Sequence, residues 1–298
     1  LGECCWKKLY ITGGIGGRPE IEGFGANYDL PNRVAYNETC AAIGNALWNY
    51  RMFLLHADAK YIDVLERIIY NGYLAGISLT GNRFFYPNPL ECDLKYKFNH
   101  GSFERQAWFD CACCPVNIAR FTPSIPGYFY AVSSSALYIN LFAQGQAMIE
   151  MDENKVIIYQ RTSYPWDGQI NIQIDPEQEM DFTVYLRIPG WSRNQPVPSD
   201  LYSYVDNIEP KITLDVNGKT FPIILDKGYI PIKRTWKKGD MINLHVEMPI
   251  RKVVAHAKVF ENANKIAIER GPIVYCMEGV DNNGKVLDKV LKQGIQFR

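Results

Sequence analysis

Apolar residues recur every three or four positions in "NETCAAIGNALWNYRMFLLHADAKYIDVLERIIYNGYLAG". Ile43, Leu47, Tyr50 and Leu54 fall on one stripe, and Val64, Leu65, Ile68 and Ile69 on another. That period predicts two antiparallel helices split near "HADAK", with Asn37 or Thr39 as a suitable N-cap for the first. Residues 37 to 130 read as helices joined by short loops, and Pro115 suits the opening turn of another helix that runs to about Phe121. Beyond "IPGYFYAVSSSALYIN" the period falls to two, in "KVIIYQ", "QINIQI", "DFTVYLRI", "KITLDVNGKTFPIIL", "GYIPIKR" and "MINLHVEM". Such alternation belongs to half-buried strands. Asn217-Gly218 between two of these runs signals a type I′ hairpin, and the spacing of the strands suits an antiparallel β-sandwich. The expected fold class is therefore α+β and multidomain, with a helical domain over residues 1–132 and a β-sandwich region, in one or two small sandwiches, over residues 133–298.

Composition narrows the classes of function. A chain of 298 residues with 47% hydrophobic content can bury a large core and form two domains. The 32 basic and 32 acidic residues cancel, and no basic run that would neutralise phosphates occurs, so nucleic acid is not an expected partner. No stretch approaches the roughly 20 apolar residues that span a bilayer, and no membrane partner is expected. The opening "LGECCWKKLYITGG" lacks a charged-then-apolar signal pattern and an initiating Met, so the chain is expected to begin within a longer one. Aromatic content of 13% suits sugar stacking and sandwich cores equally.

Eight cysteines are too sparse for a disulfide scaffold, and adjacent pairs such as Cys4-Cys5 and Cys113-Cys114 rarely bridge to each other, so reduced thiols are expected. Cys111, Cys113 and Cys114 crowd together in "RQAWFDCACCPVNIARF", ahead of the helix with Pro115. With Glu38 and Cys40 of "ETC", Cys113 and Cys114 make four donors of the kinds that zinc accepts. The bland alternative is that these thiols pack as small hydrophobes. Cys111 and Cys114 also form a C-x-x-C, but that redox motif expects a βαβ setting and both neighbouring segments look helical. "GGIGG" at 13–17 follows the apolar "LYIT", yet position 19 lacks a glycine, so a plain turn outweighs a dinucleotide loop. Glu20 and Glu22 lie in the Gly-rich "GRPEIEGFGANYDLP", an ordered loop of the kind that carries catalytic groups, although a solvated carboxylate is the simpler account of either.

Taken together, "YITGGIG", the Glu loop, "YNETCAAI", "ERIIYNGYLAGISL", "RFFYPNPLE", "WFDCACCPVNIARF" and "PGYFY" occur in one order and spacing that resembles the family 127 glycoside hydrolases and their family 146 relatives, the β-L-arabinofuranosidases. The likeness is dense over residues 9–130 and looser at "RIPGW" and "ERGPIVYCMEG". It implies a toroid of paired helices, the α/α₆ barrel, of which residues 1–132 would be the C-terminal part, followed by β-sandwich domains. It further implies Zn2+ held by Glu38, Cys40, Cys113 and Cys114, with Cys113 as the nucleophile. By the same resemblance Glu22, in "IEGF", is the general acid/base, Tyr86 of "FFYPNP" lines the sugar pocket, and Cys111 is not a ligand. Cys4, Cys5 and Cys92 have no counterpart in that pattern. Members of the family carry a long additional stretch before the matching segment, with most barrel helices and sugar-binding histidines. The implied substrate is an arabinose-containing glycan or glycopeptide, cleaved with retention at a non-reducing end. A missing N-terminal barrel lobe, or a second copy of the chain, would complete the pocket. The alternative from another class is a non-catalytic carbohydrate-binding or interaction module with a structural zinc site.

Overall fold

The computed structural model describes residues 6–151, 154–292 and 295; Cys4 and Cys5 lie outside the described residues. Three α-helices are present among them: α1 (Thr39–His56), α2 (Ala59–Arg67) and α3 (Cys113–Phe121). A π-helical turn, Ile68–Tyr73, extends α2, and a 3₁₀ segment, Thr122–Tyr128, extends α3. Three helices are too few to close a ring, so the expected toroid is not a feature of these residues by themselves. Residues 77–112 are irregular, in place of the short loops expected there. Pro87, Pro89, Gly81 and Gly101 interrupt any regular ladder in this stretch. Its order comes from single buried side chains, Tyr86, Phe98 and Phe109, and from the fully buried Asn99.

The α1 periodicity placed the helix correctly and its buried face incorrectly. Ala42, Ile43, Asn45, Ala46, Asn49 and Phe53 are buried, whereas Leu47, Leu54 and Leu55 are 45%, 50% and 75% exposed. Asn45 and Asn49 are tolerated inside because Asn45 donates to the Gly13 carbonyl and Asn49 to the Asn45 carbonyl. The glycine run 13–17 is a close-packing device. A Cβ on Gly13 would come within 2.7 Å of Ile68, and one on Gly14 within 1.9 Å of Asn37 Oδ1. No strand, and hence no parallel sheet, occurs among the described residues before Tyr130, which removes the structural setting a dinucleotide loop requires.

Among the described residues, fourteen strands follow, in three sheets. The first orders Tyr130–Ser133, Ala136–Ile139, Met180–Arg187 and Tyr229–Trp236, with a parallel pairing of Ala136–Ile139 to Met180–Arg187 inside an otherwise antiparallel set. The second has six strands, in which Asn154–Thr162, Gln169–Pro176 and Asp240–Val246 are central. Leu137, Val184 and Ile232 of the first share one core with Ile158, Ile172 and Leu244 of the second, which makes a sandwich. Asn217 and Gly218 both have positive φ, 53° and 73°, as the type I′ hairpin requires.

The third sheet, built from Tyr202–Tyr204, Ile250–Ala255, Ala267–Arg270 and Ile273–Tyr275, does not form a second sandwich. Its Tyr202 and Val253 belong to the same core as Ile43, Leu65 and Ile68 of the helices. Ionic groups lock these layers. Arg187 of "RIPGW" is fully buried and meets Asp63 at 2.7 Å, and it also donates to Glu66 and the Asn140 carbonyl. Gly190 donates to Asp63 at 3.0 Å, where a Cβ would strike the same carboxylate. Glu269 of "ERGPIVY" pairs with Arg67 at 3.0 Å, and Asn71 donates to the Pro272 carbonyl. The two looser motifs of the β part are thus the surfaces that hold α2 and its π-helical extension. No helix among the described residues is long and apolar enough to cross a membrane.

Candidate active site

Two helix starts build the site. The N-cap of α1 is Glu38, not Asn37 or Thr39, and its side chain makes no capping bond. Thr39 instead donates to the Phe85 carbonyl, and Asn37, in the left-handed region at φ 44°, donates to the Asn88 carbonyl. That frees the Glu38 carboxylate to face the thiols at the start of α3, where Cys113 is the first residue and Pro115 the third. A proline there removes only an amide that the first turn leaves unpaired.

Glu38 Oε1 lies 3.3 Å from both Cys113 Sγ and Cys114 Sγ. Cys40 Sγ is 3.3 Å from Cys114 Sγ, and the two adjacent thiols are 3.9 Å apart. One donor atom from each of the four lies within 4.8 Å of every other. Cys114 is buried completely, while Glu38, Cys40 and Cys113 keep partial access. Asn117, one helical turn along α3, donates to Cys40 Sγ at 3.1 Å. The positive ends of two helix dipoles converge on this donor set, which favours negative charge there.

Four potential anions this close cannot all ionise without a counter-charge. Burial, the first cause, pushes the Cys113 thiol up to about 12, and the Cys40 bond and burial raise Cys114 far more. The contact with Cys114 draws Cys40 below its ordinary value, helped by Asn117. Three thiols and one carboxylate within reach of a common centre have the number and chemistry that tetrahedral zinc takes. The metal-free protein should therefore lose stability as pH rises from the ordinary thiol value of 9.0 through about 12, because folding holds Cys113 protonated there while the unfolded thiol ionises. Thermal melts at pH 7.5 and 10.5, with and without zinc, test this. Wild-type protein and Cys113→Ala showing the same alkaline loss would refute it.

Tyr86 is buried, and its hydroxyl oxygen is 2.8 Å from Cys113 Sγ and 4.0 Å from Cys111 Sγ. Cys111 is exposed and outside the four-donor group, and no disulfide joins it to Cys114. Burial and the neighbouring thiol raise Tyr86 well above a free phenol, so its hydroxyl stays protonated. Tyr36 packs edge-on to Tyr86 at 6.2 Å and donates to Glu22 Oε1 at 2.9 Å. The Tyr36 phenol is held above its usual range by burial, then by Glu22 and Glu38. Glu22, exposed and at φ 46°, is thereby linked to Cys113 through two aromatic rings, Tyr36 and Tyr86. Glu20 has no hydrogen bond to the cluster among the described residues. Tyr36 and Asn117 were not singled out by sequence. Tyr36 precedes "NETC" directly and Asn117 lies within "CCPVNIARF", so proximity in sequence was the only signal.

Three family models match in chain order. Residues 4–127 match "Beta-L-arabinofuranosidase, GH127 catalytic domain", residues 136–248 match "Beta-L-arabinofuranosidase, GH127 middle domain", and residues 250–298 match "Glycoside hydrolase family 127 C-terminal domain". The chain belongs to glycoside hydrolase family 127. It is similar to the non-reducing end beta-L-arabinofuranosidase of Bifidobacterium longum subsp. longum, at 35% identity over 97% of this chain and 42% of that enzyme. Among solved structures, a GH127 beta-arabinofuranosidase aligns with TM-score 0.87 and 52% identity, over 92% of this chain and 42% of the other. A GH127 beta-L-arabinofuranosidase from Geobacillus stearothermophilus T6 aligns with TM-score 0.86 and 41% identity, over 96% of this chain and 44% of the other. The chain thus spans less than half the length of these family 127 relatives.

Proposed function

We propose that this chain carries the nucleophile, the acid/base and the metal donors of a retaining glycosidase that releases β-L-arabinofuranose from the non-reducing ends of a glycan or glycopeptide. The observation that carries this reading is the contact of Cys113 Sγ with the Tyr86 hydroxyl at 2.8 Å, in a cluster where Cys114 is sealed and the third thiol, Cys40, is taken by the Asn117 amide. A purely structural site would be closed at every donor, whereas a nucleophile must be reachable. Glu38, Cys40, Cys113 and Cys114 would hold zinc, which when bound supplies the counter-charge that keeps these thiols ionised.

In this scheme the Cys113 thiolate attacks the anomeric carbon while Glu22, protonated at the start, gives its proton to the departing oxygen. Glu22 then takes a proton from the water that displaces Cys113, and two displacements at one carbon give retention. Tyr36 holds the Glu22 carboxyl toward the site, and Tyr86 steadies the Cys113 sulfur. Residues 1–132 are proposed as the C-terminal part of an α/α toroid and 133–298 as the sandwich region. The exposed Leu47, Leu54 and Leu55 of α1 support this division, since such an apolar stripe is what further paired helices would cover. This chain spans less than half the length of its family 127 relatives, which leaves room for such helices. A second copy of the chain is the other way to complete the pocket.

Glu22→Gln tests the roles. Hydrolysis of a natural glycan should fall by about 10² to 10⁴, while an aryl glycoside with a low-pKa leaving group, needing no proton, should lose far less in the bond-breaking step. A glycosyl-enzyme adduct on Cys113 should then accumulate and be visible by intact-protein mass spectrometry. Equal loss on both substrates would remove Glu22 from this role and direct attention to Glu20.

A further inference from the structure

A nucleophilic sulfur and a permanent metal ligand need opposite surroundings, and the donor cluster holds three thiols that differ in theirs. Cys114 is sealed by burial, whereas Cys40 and Cys113 both keep partial access. Burial therefore does not tell these two apart, and their hydrogen bonds do. Cys113 Sγ meets the Tyr86 hydroxyl at 2.8 Å and Glu38 Oε1 at 3.3 Å. Cys40 Sγ meets Cys114 Sγ at 3.3 Å and receives the Asn117 side-chain amide at 3.1 Å. A hydroxyl rotates between donating and accepting, so Tyr86 can turn away from Cys113, but an amide N–H only donates.

Helix geometry brings Asn117 to Cys40. It stands one turn beyond Cys113 on α3, and side chains lean toward the start of their own helix, so its amide is carried toward the opening turn where α1 presents Cys40. Asparagine is a weaker helix former than alanine, so α3 by itself gives no reason for it at an interior position. No other hydrogen bond of this side chain occurs among the described residues, which leaves the sulfur as its partner. An N–H aimed at a thiolate stabilises the sulfur lone pairs. The sulfur then becomes a poorer nucleophile while its place in the donor set is fixed.

We propose that Asn117 is a positioning residue that keeps Cys40 as an unreactive metal ligand, so that reaction with an electrophile is confined to Cys113. This rests on the metal donors and the nucleophile proposed above, and adds to them the group that separates the two roles. One hydrogen bond to a charged sulfur corresponds to a change of about tenfold or more in its reactivity.

The test uses the whole chain loaded with zinc, and iodoacetamide as the electrophile, so that no completed sugar pocket is needed. Asn117→Leu removes the N–H and keeps most of the bulk, and Asn117→Ala removes both. Leucine and alanine are strong helix formers, so α3 is retained in either variant. In both, alkylation of Cys40, located by peptide mass spectrometry, should be about tenfold faster than in wild type. Zinc affinity, measured by chelator competition, should fall by about 10- to 100-fold. With cobalt in place of zinc, the sulfur-to-metal charge-transfer band should move to lower energy in both variants, a change that loss of packing alone does not produce. Faster reaction of Cys40 in Asn117→Ala alone would show that bulk shields it rather than the N–H, and would overturn the assignment. Wild-type rates and affinity in both variants would do the same. Either result leaves Cys113 and Glu22 in their proposed roles, which the glycoside assays test separately. All four donors lie on this chain, so wild-type protein that takes up no zinc, or no more tightly than Cys40→Ser, would remove Cys40 from a metal site and overturn that part of the proposed function together with this inference.

Discussion

Cys113→Ser in the catalytically complete protein should cut turnover of an aryl β-L-arabinofuranoside by about 10⁴-fold or more, with no covalent adduct detectable. The expected loss is large because three properties disappear together. A serine hydroxyl stays protonated at neutral pH, it is a weaker nucleophile than a thiolate, and it binds zinc less well than sulfur does. It would also put a different atom against the Tyr86 hydroxyl, which stands 2.8 Å from the sulfur. Metal content must be measured alongside the rate, so that loss of the ion is separated from loss of the nucleophile. A variant that keeps its metal and works within tenfold of wild type would exclude Cys113 as the attacking group.

Arg187→Ala should destabilise the protein by about 3–5 kcal/mol, the usual cost of removing one partner from a buried charge cluster. Arg187 is fully buried and serves Asp63, Glu66 and the Asn140 carbonyl together. Its loss leaves Glu66 buried without its cation. Burial already raises the Glu66 carboxyl, with Arg187 acting in the opposite direction. The Tyr164 hydroxyl, 2.7 Å from Glu66, cannot replace that charge. The shift in the urea midpoint gives the cost, and a change under about 1 kcal/mol would show that the junction is held by apolar packing alone. A double substitution, Arg187→Met with Glu66→Gln, should recover part of the loss, since no unpaired charge then remains.

Much of the backbone plan was legible in the chain because it depends on local periods. The change from three-and-four spacing to alternation marks the passage from Tyr128 to Tyr130, where the last 3₁₀ turn gives way to the first strand. Asn217-Gly218 specified its hairpin because few other residues accept two consecutive positive φ values. Pro115 marked the opening turn of α3 for an equally local reason. The same local logic failed at Leu47 and Leu54, since a hydrophobic stripe reveals that a face is apolar and not which neighbour covers it.

The motifs "ETC" and "CACCP" named the residue types of the site, and the likeness to family 127 named their roles, but neither could bring them together. Cys40 and Cys114 are 74 positions apart, and only the packing of α1 against α3 sets their sulfurs 3.3 Å from each other. Tyr36 between Glu22 and Tyr86, and Asn117 on Cys40, came from tertiary structure alone. Tyrosine and asparagine are ordinary in any chain and acquire chemistry only from what they face. The docking roles of "RIPGW" and "ERGPIVY" likewise exist only once α2 and its π-helical extension present Asp63, Arg67 and Asn71 to them. The sequence by itself determined which helices and strands form, because backbone conformation follows from neighbours a few residues away. Which donors share one centre was decided by the tertiary structure, because that depends on close packing among segments the chain order leaves far apart.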